Sequence, residues 1–177
     1  QSCCRTIATM CLILFSYRQH ERYPFVFAAN RDEFYERPTA QATFWEDQPD
    51  LLAGRDVQGG GTWCGITRSG RFAAITNVRE PAYLREDAPS RGELLTRYLL
   101  GEAPPQEYLL RNGDTFGQYK GFNLLVGDPT GLWYLSNRGD PAPELLKPGL
   151  YGLSNDRLDT PWPKVIRGKQ ALQQALE

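Results

Sequence analysis

Three times in this chain an apolar run, a short turn and a second apolar run follow one another, and this repetition restricts the fold more than any other feature. Met10 to Tyr17 and Phe25 to Asn30 flank the polar loop Arg18-Gln-His-Glu-Arg22. Thr62 to Thr67 and Arg71 to Asn77 flank Arg68-Ser-Gly70, and Phe122 to Val126 and Leu132 to Ser136 flank Asp128-Pro-Thr-Gly131. Runs this short, with turn formers between them, read as antiparallel β-hairpins and not as alternating βαβ units. A further strand is expected from Gly149 to Ser154. Helices fill the middle and the end. Ser90 and Glu93 have capping-box spacing ahead of Leu94, Leu95, Tyr98 and Leu99, and Gly101 stands where a terminating glycine belongs. A shorter helix is expected from Pro105 through Arg111, ending near Asn112-Gly113, and another over Lys164 to Leu176. Strands before and after a helical block suit a layered α+β sandwich.

One domain is expected, because 177 residues suffice for a real core and 41% hydrophobic with 23% charged residues is an ordinary mixture. A formal net charge of -1 leaves no basic surplus for a phosphate backbone, so nucleic acid is not an expected partner. The longest apolar stretch, around Met10 to Phe15, is far below the ~18–20 residues of a membrane span. The four cysteines lack paired CxxC spacing and there is one histidine, which argues against a metal site. No cofactor is implied, and a reducing, cytoplasmic compartment fits free thiols. His20 stands among charges in the first hairpin loop and reads as a solvated turn residue. Gly59-Gly-Gly61 lacks the ending of a phosphate loop and precedes a strand; it reads as a tight loop permitting close backbone approach.

Chemistry centres on Met10-Cys11, the single methionine standing directly before a cysteine. If translation starts at Met10, the mature chain begins with Cys11, which then carries a nucleophilic sulfur and a base, the α-amine with a reference pKa of ~7.7–8.0, on one residue. The plainer alternative is a small apolar residue in a buried strand. The stretch Ala29-Asn-Arg-Asp-Glu33 ends the second strand with dense polar groups. Pairing the first two strands with a short turn sets Cys11 opposite Asn30 to Asp32, so that Arg31 and Asp32 lie near the thiol. An arginine there favours thiolate, and an aspartate can hold an ammonium or orient a substrate amine. A surface ion-pair cluster is the competing reading. Asn77 and Asn155 both stand at strand ends, where their amides suit an oxyanion; each equally reads as a cap or turn former.

Met10-Cys-Leu-Ile-Leu-Phe15, Ala29-Asn-Arg-Asp-Glu-Phe-Tyr-Glu-Arg-Pro38, Leu52-Ala-Gly-Arg-Asp56, Gly60-Gly-Thr-Trp-Cys-Gly65 and Gly70-Arg-Phe-Ala-Ala-Ile-Thr-Asn-Val-Arg79 closely resemble the NRDE family, in one collinear series from Met10 to about Lys164. That family is similar in turn to the amino-terminal nucleophile (Ntn) hydrolases of the choloylglycine hydrolase and penicillin V acylase group. The resemblance implies a four-layer αββα sandwich of antiparallel sheets, with Met10 as the native start. Residues 1–9 are then an extension outside the fold, and 10–177 a single domain whose C-terminal part is missing. It implies Cys11, Arg31, Asp32, Asn77 and Asn155 as catalytic counterparts; Asn30, Glu33, Phe34 and Trp63 are expected beside them as substrate-binding residues.

Two functions follow as expectations. One is a cysteine-nucleophile amidohydrolase acting on a non-peptide C–N bond of a small-molecule substrate. The other is a non-catalytic protein binding or trafficking a lipid-like, acyl or haem-like ligand, as links to secretion and Golgi organisation in eukaryotic relatives suggest. Trp45, Trp63 and Phe34 are available to line a pocket under either.

Overall fold

A computed structural model describes residues 11–32, 36–80, 87–139 and 141–177. Among these residues ten strands form two antiparallel sheets. In the smaller sheet β1 (Leu12–Tyr17) lies centrally between β2 (Phe25–Asn30) and β10 (Gly149–Leu153). The larger sheet runs in chain order through β3 (Thr39–Trp45), β4 (Gln48–Asp56), β5 (Cys64–Thr67), β6 (Phe72–Asn77), β7 (Phe122–Asp128), β8 (Gly131–Ser136) and β9 (Glu144–Leu145). The described residues also form four helices: α1 (Gly92–Leu100), α2 (Pro105–Arg111), α3 (Gly113–Phe116) and α4 (Pro163–Leu176).

The near-continuous apolar runs of β6 and β7 state that both faces of the larger sheet are covered, since a half-exposed strand would alternate. On one face Ala73, Leu124 and Val126 pack under Leu94, Tyr98 and Leu109 of α1 and α2. On the other, Phe72 and Leu125 meet Ile13, Phe15 and Leu153 of the smaller sheet. Phe72 takes Phe25 and Phe27 edge-on, with ring centroids 4.9 and 5.0 Å away, a favourable aromatic geometry. α4 covers the outer face of the smaller sheet against β1 and β10, with Val165 buried. The order helix, sheet, sheet, helix is the expected αββα sandwich.

All three expected hairpins form, and Gly70 takes φ +85° in the second turn. His20 stays in its loop and accepts the Arg22 and Tyr23 N–H groups. Other expectations are corrected. The capping box at Ser90 and Glu93 does not form: the N-cap is Arg91 without a side-chain cap, and the Glu93 carboxylate instead receives the Tyr119 hydroxyl. Gly101 is extended at φ -87°, so α1 ends without a left-handed residue. The helix from Pro105 ends at Arg111 with Asn112 as its C-cap, as expected, but a further short helix, α3, follows it directly. The hairpin β3–β4 had no hairpin signature in the sequence because six of the seven residues of β3 are exposed and supply no apolar run. Trp45 packs in the core beneath α1 and donates from its indole to the Ala53 carbonyl at 3.0 Å, so it lines no pocket.

Candidate active site

The register of β1 and β2 positions the site. Leu12 pairs with Asn30, so the next step along both strands brings Cys11 beside Arg31 and Asp32. There the Asp32 N–H donates to the Cys11 sulfur at 3.4 Å, and the thiol faces the Asp32 carbonyl at 3.8 Å. The Cys11 carbonyl is held twice, by the Ser154 hydroxyl at 2.9 Å and by the Lys164 ammonium at 3.1 Å. Lys164 comes from the first turn of α4; burial pulls its pKa below the ordinary lysine value, against the raising influence of negative charge on Asp32 and Cys11.

Cys11 opens onto a cavity of about 480 Å³ between the strand ends and the amino end of α1, also lined by Arg31, Asp32, Trp63 and Asn77. Arg31 donates to the Thr39 hydroxyl at 2.9 Å and lies 3.8 Å from Asp56. Asp56, at the end of β4, is gripped by Arg37 at 2.6 Å and by the N–H groups of Gln58 and Gly59. Burial raises the Asp56 pKa, but these hydrogen bonds outweigh it and leave the carboxyl below the ordinary value of 3.8. Asn30 turns its amide to Asp32 at 2.9 Å, orienting that carboxylate without lining the cavity. Glu33 and Phe34 lie outside the described residues.

The two asparagines differ. The Asn77 side chain borders the cavity, and among the described residues nothing engages its amide. Asn155 stands behind it, its amide donating to the Asn77 carbonyl at 2.9 Å and its own carbonyl accepting the Arg79 N–H. Asn155 thereby positions Asn77 from outside the lining. The loop between β4 and β5 meets α1 backbone to backbone: a Cβ on Gly61 would stand 2.7 Å from the Gly92 carbonyl carbon. The glycine run is therefore a close-approach loop, as its composition suggests.

Sequence reasoning missed Lys164, Ser154, Asp56 and the basic residues Lys120 and Arg91, which also line the site or hold Cys11. Only Asp56 carried a signal, as the last residue of the Leu52-Ala-Gly-Arg-Asp56 motif. Among the described residues no group of three or more His, Cys, Asp or Glu side chains could hold a metal ion, and no helix is long and apolar enough to cross a membrane.

With this geometry in place, comparison with known proteins is informative. The model of a family described as Transport and Golgi organisation 2 matches residues 10–177. The chain is 41% identical over 180 residues to the human Transport and Golgi organization protein 2 homolog, covering 95% of this chain and 65% of that protein. It is 28% identical to the Drosophila melanogaster Transport and Golgi organization protein 2, covering 93% and 64%. The chain thus spans about two-thirds of the length of these relatives. Among solved structures, the Caenorhabditis elegans ortholog of N-acylethanolamine-hydrolyzing acid amidase superposes at a TM-score of 0.49 with 11% identity, over 93% of this chain and 79% of that one. That likeness is too loose to bear on function.

Proposed function

We propose, for a chain that belongs to the Transport and Golgi organisation 2 family, a cysteine amidohydrolase activity on the C–N bond of a small non-peptide amide. The observation that carries the reading is the convergence of Cys11, Arg31, Asp32 and Asn77 on one cavity, with a backbone N–H already directed at the sulfur. The chemistry requires Cys11 to bear a free α-amine, which in turn requires removal of residues 1–10.

The α-amine of Cys11 takes the thiol proton, and the thiolate attacks the amide carbon. Charge that develops on the carbonyl oxygen is received by the Asn77 amide. As the C–N bond breaks, the α-ammonium returns the proton to the departing amine, leaving a thioester on Cys11. Water, giving a proton to the same amine, attacks the thioester; the carboxylic acid departs and the proton returns to sulfur. Arg31 and Asp32 orient the sulfur and the substrate amine, while Ser154 and Lys164 fix Cys11 through its carbonyl. A reducing, cytoplasmic setting keeps the thiol available.

The test is intact-mass analysis of protein begun at Met10, followed by an acylating probe. Loss of Met10 and labelling of Cys11 well ahead of Cys64 are expected. A retained Met10, or equal labelling of the two cysteines, sinks the enzyme reading. The relatives' names, which speak of transport, favour a second reading in which the cavity binds and hands on a ligand. Under it, Cys11→Ala leaves ligand affinity and cellular function unchanged. The charged lining suits a polar ligand better than a lipid.

A further inference from the structure

Strand β7 buries one polar side chain among apolar ones, Asn123, which is 0% exposed and shares the face of Leu125, turned to the smaller sheet. An amide so placed is costly unless its hydrogen bonds are made. Here they are. The amide nitrogen donates to the Thr76 hydroxyl at 3.1 Å and to the Asp156 carbonyl at 2.7 Å, and the amide oxygen accepts the Tyr134 hydroxyl at 2.8 Å. A carbonyl only accepts, so the Asp156 contact fixes which way the amide points. Thr76, opposite Asn123 in the pairing of β6 and β7, donates in turn to the Ser154 carbonyl at 2.8 Å.

All of these bonds converge on residues 154–158, which follow β10 and lie in no strand. Backbone outside a ladder needs other partners. The larger sheet and the residues at its edge supply them: Thr76 for the Ser154 carbonyl, the Arg79 N–H for that of Asn155, Asn123 for that of Asp156, and the Tyr134 hydroxyl for the Leu158 N–H. From its other side the same segment reaches the candidate site. Ser154 donates to the Cys11 carbonyl and Asn155 to the Asn77 carbonyl. Cys11 precedes β1 of the smaller sheet and Asn77 ends β6 of the larger, so their spacing depends on how the two sheets sit at this end. Apolar contact between sheets is non-directional; hydrogen bonds fix what it leaves free to slide.

We infer that Asn123 and Thr76 are positioning residues for the reaction: from the larger sheet they hold residues 154–156, and through Ser154 and Asn155 they set the spacing between the Cys11 nucleophile and the Asn77 amide. The inference rests on the amidohydrolase reading of the cavity. A merely structural role for the same side chains would lower stability but leave the balance between two kinds of thiol chemistry at Cys11 unchanged.

The experiment uses full-length protein begun at Met10 and two probes. p-Nitrophenyl acetate acylates a thiol through a tetrahedral oxyanion, whereas iodoacetamide alkylates it with no oxyanion. Asn123→Leu is expected to slow acylation of Cys11 by about 10-fold or more while changing its alkylation by less than about 2-fold. Thr76→Val should act in the same direction, and Thr76→Ser, which keeps the hydroxyl, should retain the parent rate; this pair decides if Asn123→Leu does not fold. Tyr98→Phe is the control. It deletes a buried hydrogen bond of 2.8 Å to the Gly127 carbonyl, at the far end of β7, and should lower the melting temperature without moving the ratio of the two rates. The inference is overturned if the folded variants at Asn123 and Thr76 acylate at the parent rate, or if Tyr98→Phe lowers the ratio as much as they do. If the parent acylates Cys11 no faster than Cys64, the amidohydrolase reading falls, and positioning is then read from hydrogen exchange at the Arg79 N–H, which donates to the Asn155 carbonyl. Faster exchange in Asn123→Leu and Thr76→Val than in Tyr98→Phe supports the positioning role, and equal exchange removes it.

Discussion

The two free thiols among the described residues, Cys64 and Cys11, show how the same side chain meets opposite surroundings at the two sheets. Cys64, on β5 of the larger sheet, packs against the core between the sheets, and burial pushes its thiol pKa up to about 12. Cys11, one step before β1 of the smaller sheet, borders a polar cavity and takes a backbone N–H on its sulfur. Burial without a partner stabilises the neutral thiol of Cys64, whereas Cys11 stands where a substrate in the cavity can reach it. The centre of the larger sheet, enclosed on both faces, supplies stability, and the strand ends of both sheets supply the polar groups of the cavity.

The contrast can be tested from its strongest point downward. Cys11→Ala should lower amide hydrolysis by roughly 10⁴-fold while leaving the melting temperature unchanged; Cys64→Ala should cost about 1 kcal/mol of stability and spare the activity. If Cys64→Ala abolished turnover and Cys11→Ala did not, the division between the sheets would be reversed. Next, Leu125→Ala, at a fully buried position between the sheets, should cost about 2–5 kcal/mol in denaturant unfolding. A smaller loss is expected for Asp56→Asn, about 1–2 kcal/mol at neutral pH. Its sign with pH is fixed: the folded pKa lies below the ordinary 3.8, so the stabilisation is whole above about pH 4 and disappears as the pH falls through the depressed folded value. The gap between Asp56→Asn and the parent, measured by urea unfolding, should therefore narrow under acid. The smallest effect belongs to Lys164→Met, which removes a cation near the thiol. Acylation of Cys11 should slow by about 3-fold through loss of the tie on its carbonyl, with labelling of Cys64 unaffected.

How much of this was legible varied with the physics that carried it. Hairpins β1–β2, β5–β6 and β7–β8 could be read because burial on at least one face forces apolar runs, and short turns force glycine, proline or polar residues between them. Strand β3 could not, because six of its seven residues face water and its pairing is held by backbone bonds that any residue can make. Within the site, Cys11, Arg31 and Asp32 were legible together, since a two-strand register is arithmetic once the turn is known. Lys164 and Lys120 were not. A lysine on a solvated face and a lysine on a cavity wall look alike in sequence, and α4 and the segment before β7 reach the site only through tertiary packing. The asparagines fall between: both were visible as strand-end amides, but which one borders the cavity depends on a bond between Asn155 and Asn77 that spans 78 positions of chain.

The two hydrogen bonds on the Cys11 carbonyl bear on how the protein could mature. Ser154 and Lys164 hold Cys11 from its carboxyl side, and the strand that begins at Leu12 is flanked on both edges by β2 and β10. None of these ties passes through the residue ahead of Cys11. Severing that peptide bond would therefore exchange a neutral nitrogen for a titrating one while leaving the first strand moored, so a trimming event can act as a chemical switch without a conformational one.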